Sequence, residues 1–203
     1  YNCVVSKIRS GDKTVSVMLP TGTGKSDLIR AIAIGLVKRS PLFSGVWAFS
    51  PSTQLRDQLA SKDAGETLSR LGVLSTDFGG VSPFVAVDSL STERFRNNAV
   101  LESFTTQFLT ANGNVKLFIA AAKQLHRKTG IFPLVVIDES HLFSTDNVWG
   151  GAVEEMLVVG IPILLVTGTA FRSDRSKIPG FVTIPIDQAD KRFVKTEKTN
   201  DPG

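Results

Sequence analysis

The sequence contains few of the residues that form disulfides or bind zinc, and it lacks long apolar runs. It has one cysteine, Cys3, and two histidines, His126 and His141, which are far apart in the sequence. A single cysteine cannot form an internal disulfide, which excludes a disulfide-stapled secreted scaffold and favours a reducing compartment. No apolar run approaches the roughly 20 residues of a membrane helix, and no signal segment opens the chain. We therefore expect a cytoplasmic protein without a membrane partner.

The composition is otherwise that of a globular domain. The 17 glycines and 9 prolines among 203 residues are close to average usage, which excludes collagen-like and low-complexity classes. Hydrophobic residues make up 42% of the chain, enough for one substantial core. The net charge of +4 permits a polyanionic partner but does not require one. The first residue is Tyr1 rather than methionine, so we expect a piece of a longer protein.

Apolar β-branched runs alternate with helical patterns, which predicts an α/β fold with a mostly parallel sheet and helices on both faces. The predicted strands are residues 14–19, 45–49, 84–87, 115–119, 132–137, 161–166 and 181–186. Helices are predicted after the first two strands, at 100–109, in a short stretch that follows 115–119 and runs through Leu125, and at 151–159. The mixture of glycine, proline and charge in 64–98 predicts loop-rich decoration, and the polar stretch 187–203 predicts a linker or tail.

A glycine-rich turn joins the first strand to its helix, and it reads Thr21-Gly22-Thr23-Gly24-Lys25-Ser26. Its two glycines let the backbone bend with N–H groups pointing inward, and the helix N-terminus adds partial positive charge. Lys25 is placed to reach β- and γ-phosphates, and the Ser26 hydroxyl is placed to hold Mg²⁺. The strict pattern has glycine where this chain has Leu19. The segment therefore predicts a variant phosphate-binding loop.

Two adjacent carboxylates, Asp138 and Glu139, end the apolar run 132–137. Unpaired charge is costly at the end of a buried strand, and a divalent cation would offset that cost. Asp138 would hold Mg²⁺, and Glu139 would orient or deprotonate an attacking water. Together with the glycine-rich turn, the pair predicts nucleotide hydrolysis.

A third segment, Thr167-Gly168-Thr169, follows the apolar run 161–166. Short hydroxyl side chains at the carboxyl end of a strand face the crevice in which α/β sheets bind ligands. By itself the segment predicts no more than a turn, and relay of a change at a γ-phosphate is the functional alternative.

The order and content of these segments resemble the first motor domain of superfamily two helicases and translocases. Residues 21–26 resemble motif I of that superfamily, Asp138-Glu139-Ser140-His141 its DExH motif II, and 167–169 its motif III. Pro51-Ser52, with Leu55 and Gln58 after them, resembles motif Ia. The run from Thr167 to Asp174 is most similar to the branch that contains restriction-enzyme motor subunits.

The resemblance implies a RecA-like ATP-binding domain over residues 1–186 and a role for each matching residue. Residues 21–26 would bind ATP, with Lys25 and Ser26 at the phosphates and Mg²⁺. Asp138 would hold the metal, and Glu139 would be the general base. His141, Thr167 and Thr169 would couple hydrolysis to nucleic-acid binding. Ser50, Pro51 and Ser52 would lie along a nucleic-acid backbone, with DNA preferred over RNA.

The resemblance also implies a second RecA-like domain, which supplies an arginine finger in this superfamily. Such a finger accelerates hydrolysis by roughly 10³–10⁵-fold. About 30 residues follow Thr169, too few for that domain. We therefore expect the chain to bind ATP weakly and to turn it over very slowly alone.

Two alternatives stay open on the sequence. A phage-type DNA-packaging motor ATPase also combines a phosphate loop with an Asp-Glu pair, and a fused nuclease domain would identify it. A nucleotide-dependent protein-binding module without motor activity would have the same fold, because one fold serves many functions. ATPase activity that ignores added DNA or RNA would favour that module.

Overall fold

The computed structural model describes residues 2–19, 22–61, 68–70, 72, 75–78, 82–88, 99–140 and 148–168. The strands are β1 (Thr14–Met18), β2 (Val46–Ser50), β3 (Phe84–Ala86), β4 (Leu101–Thr105), β5 (Leu134–Asp138) and β6 (Ile163–Thr167). The α-helices are α1 (Asn2–Arg9), α2 (Lys25–Ala33), α3 (Thr53–Ala60), α4 (Thr106–Thr110), α5 (Asn114–Thr129) and α6 (Val148–Val159). A π-helical stretch, Ile34–Arg39, continues α2, and short 3₁₀ turns cover Ser75–Phe78 and Ala111–Gly113.

The described strands form one six-stranded sheet in the order β1-β6-β5-β2-β4-β3, and every pair is parallel. Strands β2, β5 and β6 are buried along their whole length, as strands covered on both faces are. One face packs against α1, α2 and α3 through residues such as Ile29, Ile32 and Leu59. The other packs against α4, α5 and α6 through residues such as Phe118 and Val153. This architecture confirms the predicted α/β class.

The structure confirms the strands predicted at 14–19, 45–49, 84–87, 132–137 and 161–166, with ends that shift by one or two residues. The helices predicted after the first two strands and at 151–159 are present as well. The strand predicted at 181–186 and the tail 187–203 lie outside the described residues. Helix α1 was not predicted. Within the described part of the chain, no helix is long and apolar enough to cross a membrane.

The helix predicted at 100–109 is wrong over its first half. Residues Leu101–Thr105 form β4, which pairs with β2 and β3, and the helix α4 begins only at Thr106. The Thr105 hydroxyl marks the change by accepting the Phe108 N–H at 3.2 Å. The run is buried on both faces, so it lacks the alternation by which an exposed strand is recognised.

The strand predicted at 115–119 is also wrong, because these residues lie inside α5. Phe118 and Ala122 are four residues apart and both face the core, which is helical spacing. Gly113 and Gly130 bound the helix in left-handed conformation, with φ of 75° and 78°. A short apolar run does not by itself distinguish a strand from a buried helix segment.

Candidate functional site

Strands β1, β5 and β6 are neighbours, so their carboxyl ends lie together at one edge of the sheet. Met18 pairs with Thr167, and Asp138 pairs with Val166. The Leu19 N–H extends the ladder by donating to the Thr167 carbonyl at 2.8 Å. Ligands of α/β sheets bind outside the carboxyl ends of the strands. The segments that follow β1, β5 and β6 therefore begin at the edge of the sheet where ligands of this fold class bind.

The glycine-rich turn has the backbone of an anion-binding loop. Gly22 and Gly24 have φ of 80° and 88°. Residues other than glycine adopt such backbone angles only at a cost in conformational energy. Gly24 caps α2, and its carbonyl accepts the Leu28 N–H at 2.9 Å. Lys25 and Ser26 then form the first turn of α2, where free N–H groups favour an anion. Thr23 is exposed, and Thr21 lies outside the described residues.

Glu139 contacts residues at the start of α2, at the end of β5 and directly after β6. Its carboxylate forms an ion pair with the Lys25 ammonium through Oε1, and Oε2 accepts the Gly168 N–H at 3.3 Å. Its own N–H donates to Asp138 Oδ1 at 3.0 Å. Glu139 has φ of 53°, the one positive value among the described residues other than glycine. Such a backbone persists where surrounding contacts hold it and is often found at functional sites.

Asp138 is the buried partner of this cluster, with 5% of its surface exposed. Its pKa is raised to about 6, first by burial and then by the charge of Glu139, while Lys25 and the Glu139 N–H act in the opposite direction. A bound cation near such a carboxylate stabilises its ionised form. The ionised form is therefore favoured when a positive charge is bound beside it.

The donor set fits Mg²⁺ with a nucleotide. Ser26 and Asp138 offer oxygen atoms, which Mg²⁺ prefers, and Lys25 with the glycine turn offers N–H groups and positive charge to phosphates. Among the described residues no group of three or more His, Cys, Asp or Glu could hold a metal. Mg²⁺ commonly binds through one or two carboxylates together with substrate phosphates and waters. The residues present therefore match that mode.

Burial of Asp138 predicts a pH-dependent cost in stability for protein free of metal and nucleotide. The folded-state pKa of about 6 lies above the unfolded value of about 3.9. The folded state therefore holds the proton more tightly, and stability falls as pH rises from 4 through 6. Asp138→Asn, which stays neutral, is expected to raise the free energy of unfolding by about 3 kcal/mol at pH 7.5.

The measurement is urea unfolding in EDTA at pH 4 and pH 7.5. The gain from Asp138→Asn is expected to fall to about 0.5 kcal/mol at pH 4, where folded Asp138 is protonated and unfolded Asp138 is about half ionised. Asp12→Asn, at a half-exposed carboxylate, is the control and should change stability by less than about 0.5 kcal/mol. An equal effect of Asp138→Asn at both pH values would contradict the burial argument.

The three residues predicted to couple hydrolysis to nucleic-acid binding are described in part. Thr167 is buried at the end of β6, where its carbonyl holds Leu19, and Gly168 beside it donates to Glu139. His141 and Thr169 lie outside the described residues. The structure thus brings Gly168 into contact with Glu139, and the coupling roles stay predictions.

The predicted nucleic-acid residues lie at the end of β2 and directly after it, at the same edge of the sheet. Ser50 is fully buried and its hydroxyl has no hydrogen-bond partner, so its side chain does not form part of the surface. Pro51 is half-buried, and its carbonyl accepts Gln107 Nε2 at 3.1 Å. Ser52 is exposed and caps α3 by accepting the Leu55 N–H at 3.3 Å. The exposed part of this trio is therefore Pro51 and Ser52.

Sequence reasoning missed Arg30, a buried cation on α2 that is 3% exposed. It also missed the contact between Glu139 and Gly168. The signal for Arg30 was present, because a charged residue stands among the apolar residues Ile29, Ala31 and Ile32. A cation on the apolar side of a helix requires acceptors nearby.

Comparison with known proteins yields one curated relative over a short stretch. No protein-family model matches the chain. A stretch of 71 residues is 41% identical to "Uncharacterized protein ML1624" of Mycobacterium leprae (strain TN). The stretch makes up 34% of this chain and 12% of that protein.

Solved structures show the fold. T4 UvsW superposes with a TM-score of 0.52 at 14% identity, over 82% of this chain and 29% of that chain. The Mycobacterium smegmatis helicase Lhr, solved with ssDNA and AMP-PNP, superposes with a TM-score of 0.51 at 19% identity, over 84% of this chain and 22% of that chain. The chain spans less than a third of either. It has the α/β, RecA-like fold of helicase domains.

Proposed function

We propose that the chain is the ATP-binding domain of a nucleic-acid-dependent ATPase of the helicase or translocase type. The observation that carries the proposal is the ion pair between Lys25 and Glu139. It brings the phosphate-type loop and the predicted general base into contact across one sheet edge. The helicase-like fold supports the proposal, as does the nucleotide analogue in the Lhr structure.

Each side chain of the cluster has a separate task in this proposal. Lys25 and the loop residues 21–26 bind the phosphates of ATP, and Ser26 and Asp138 hold Mg²⁺. The metal supplies neutralising charge to the phosphates when bound. Glu139 orients water for in-line attack on the γ-phosphate and accepts its proton.

The ion pair determines the order of events at the site. Lys25 neutralises Glu139 while no phosphate is present, so the carboxylate is not free to accept a proton. When Lys25 turns to the β- and γ-phosphates, Glu139 is released toward the attacking water. The Gly168 N–H still holds the other carboxylate oxygen, which keeps Glu139 at the strand end.

The nucleic-acid surface in this proposal comprises Pro51 and Ser52, which follow β2. An exposed hydroxyl and backbone groups contact phosphates without reading sequence. We expect DNA to be preferred over RNA because the run from Thr167 to Asp174 resembles that of restriction-enzyme motor subunits. His141 and Thr169 complete the coupling between nucleotide and nucleic acid.

The proposed domain covers residues 1–186, with 187–203 as a tail toward a second RecA-like domain. That second domain would contribute an arginine to the γ-phosphate, and hydrolysis without that arginine would be slow. The complete ATPase therefore requires the longest natural form of the protein.

Hydrolysis assays on that form test the proposal. ATP turnover is measured alone, with single-stranded and duplex DNA, and with RNA. We expect nucleic acid to raise the rate, and DNA to do so more than RNA. Hydrolysis that ignores every nucleic acid would contradict the proposal and favour a nucleotide-dependent protein-binding module.

A further inference from the structure

Arg30 joins the helix that follows the phosphate-type loop to the helix that follows the proposed nucleic-acid surface. Its guanidinium is buried, and Nε donates to the Leu59 carbonyl at 3.1 Å. A second nitrogen donates to the Gln58 carbonyl, and a third contacts Asp27 Oδ1 at 3.2 Å. Arg30 and Leu59 are 29 residues apart in the sequence. The contact is therefore a tertiary one between α2 and α3.

The acceptors on α3 belong to its last turn. Helices leave their final carbonyls without partners inside the helix, and these carbonyls carry partial negative charge. The planar guanidinium bonds two of them at once, which a single-point ammonium does less well. Arg30 thus fixes both the position and the orientation of the C-terminal end of α3.

The contact between Arg30 and Asp27 leads back to the turn that would bind phosphates. Asp27 lies in the first turn of α2, directly after Lys25 and Ser26, and its carboxylate is half-exposed. Through Asp27 and its own helix, Arg30 is held by the turn that would bind phosphates. Ser52 caps the opposite end of α3, about 12 Å along the helix axis from its last residues.

We propose that Arg30 is the positioning residue that transmits nucleotide binding on α2 to the nucleic-acid surface at Pro51 and Ser52. The inference rests on the proposed function. A shift of the first turn of α2 on phosphate binding moves the Arg30 guanidinium. Helix α3 moves with it as a rigid body, because the carbonyls at the end of α3 are hydrogen-bonded to that guanidinium. The affinity at Ser52 changes as a result.

The experiment measures the dissociation constant for single-stranded DNA with and without a non-hydrolysable ATP analogue and Mg²⁺. The ratio of the two constants is the coupling, which is typically about 5- to 150-fold where sites are linked. Arg30→Lys keeps the charge but loses the planar fork. We expect this variant to reduce the ratio to below about threefold, with nucleotide affinity in the absence of DNA nearly unchanged.

Arg56→Lys is the matched control. Arg56 lies on α3 with carboxylate partners of its own, Asp57 and Asp88, and none of its observed side-chain contacts reaches α2. Its substitution is expected to leave the ratio unchanged. Melting temperatures of both variants are measured beside the ratio, since a purely structural role would lower the melting temperature and leave the coupling intact.

The outcomes separate the two proposals. A coupling ratio that Arg30→Lys retains would overturn the role of Arg30 and leave the ATPase proposal standing. A wild type whose DNA affinity ignores nucleotide would overturn the role of Arg30, whereas the ATPase proposal is overturned only by hydrolysis that ignores nucleic acid. Should Arg30→Lys fail to fold, Asp27→Asn loosens the same connection at a half-exposed position and is expected to lower the ratio. An unchanged ratio in that variant would overturn the role as well.

Discussion

Glu139→Gln is expected to lower ATP turnover by the longest natural form roughly 10²- to 10⁴-fold, the range that general-base catalysis contributes. The amide has the size of the carboxylate but cannot take a proton from water. It also cannot form the ion pair with Lys25. Lys25 is then free for phosphate, so we expect nucleotide affinity to be equal or higher in the variant.

The test combines steady-state hydrolysis in the presence of DNA with titration of a non-hydrolysable ATP analogue. Glu154→Gln changes an exposed glutamate on α6 and should leave both quantities unchanged. A parallel loss of turnover and of nucleotide affinity would show that Glu139 acts in binding rather than as a base. A normal turnover would remove it from the chemistry.

The second large effect concerns the core. Phe118→Ala is expected to lower the free energy of unfolding by about 3–5 kcal/mol, the usual range for a buried phenylalanine. The Phe118 ring lies 5.0–5.5 Å, centroid to centroid, from the rings of Trp47, Phe49 and Phe104. Phe108 lies at 6.2 Å. Truncation leaves a cavity among four rings that are fixed by strands and by α4.

Leu117→Ala is the neighbouring control on α5. Leu117 is 55% exposed, so its loss is expected to cost less than about 1 kcal/mol. Urea unfolding of both variants gives the comparison. A Phe118→Ala protein as stable as the Leu117→Ala protein would contradict the packing of α5 against the sheet.

The parts of the fold that the sequence predicts are those with local signals. The apolar runs that became β5 and β6 are continuous because both faces are covered. Strand β4 was mistaken for a helix, and Glu102 within it shows why. This buried glutamate is accommodated by a hydrogen bond from Trp47 Nε1 at 2.9 Å, and Trp47 is 55 residues away in the sequence. A composition that looks unsuited to a strand is stabilised by a distant partner.

In the candidate site, too, the sequence predicts the residues that have local signals and not the contacts that depend on tertiary packing. The loop residues and the two carboxylates carry chemistry that residue type and order reveal, so Lys25 and Glu139 were both predicted. Their mutual contact joins residues 114 apart and depends on β1, β6 and β5 being neighbours. The contacts of Arg30 with the end of α3 likewise depend on tertiary packing. The burial of Ser50 follows from its place at the end of β2 between two other strands.

Titration of a non-hydrolysable ATP analogue tests most directly whether the glycine turn and the two carboxylates form one nucleotide site. The titration uses the longest natural form, with Mg²⁺ and with EDTA, for wild type, Lys25→Ala and the exposed-site control Lys123→Ala. We expect Mg²⁺-dependent binding that Lys25→Ala weakens roughly 10- to 150-fold, the equivalent of a charged hydrogen bond of 1.5–3 kcal/mol. Equal affinities in all three proteins, or binding that ignores Mg²⁺, would contradict this site.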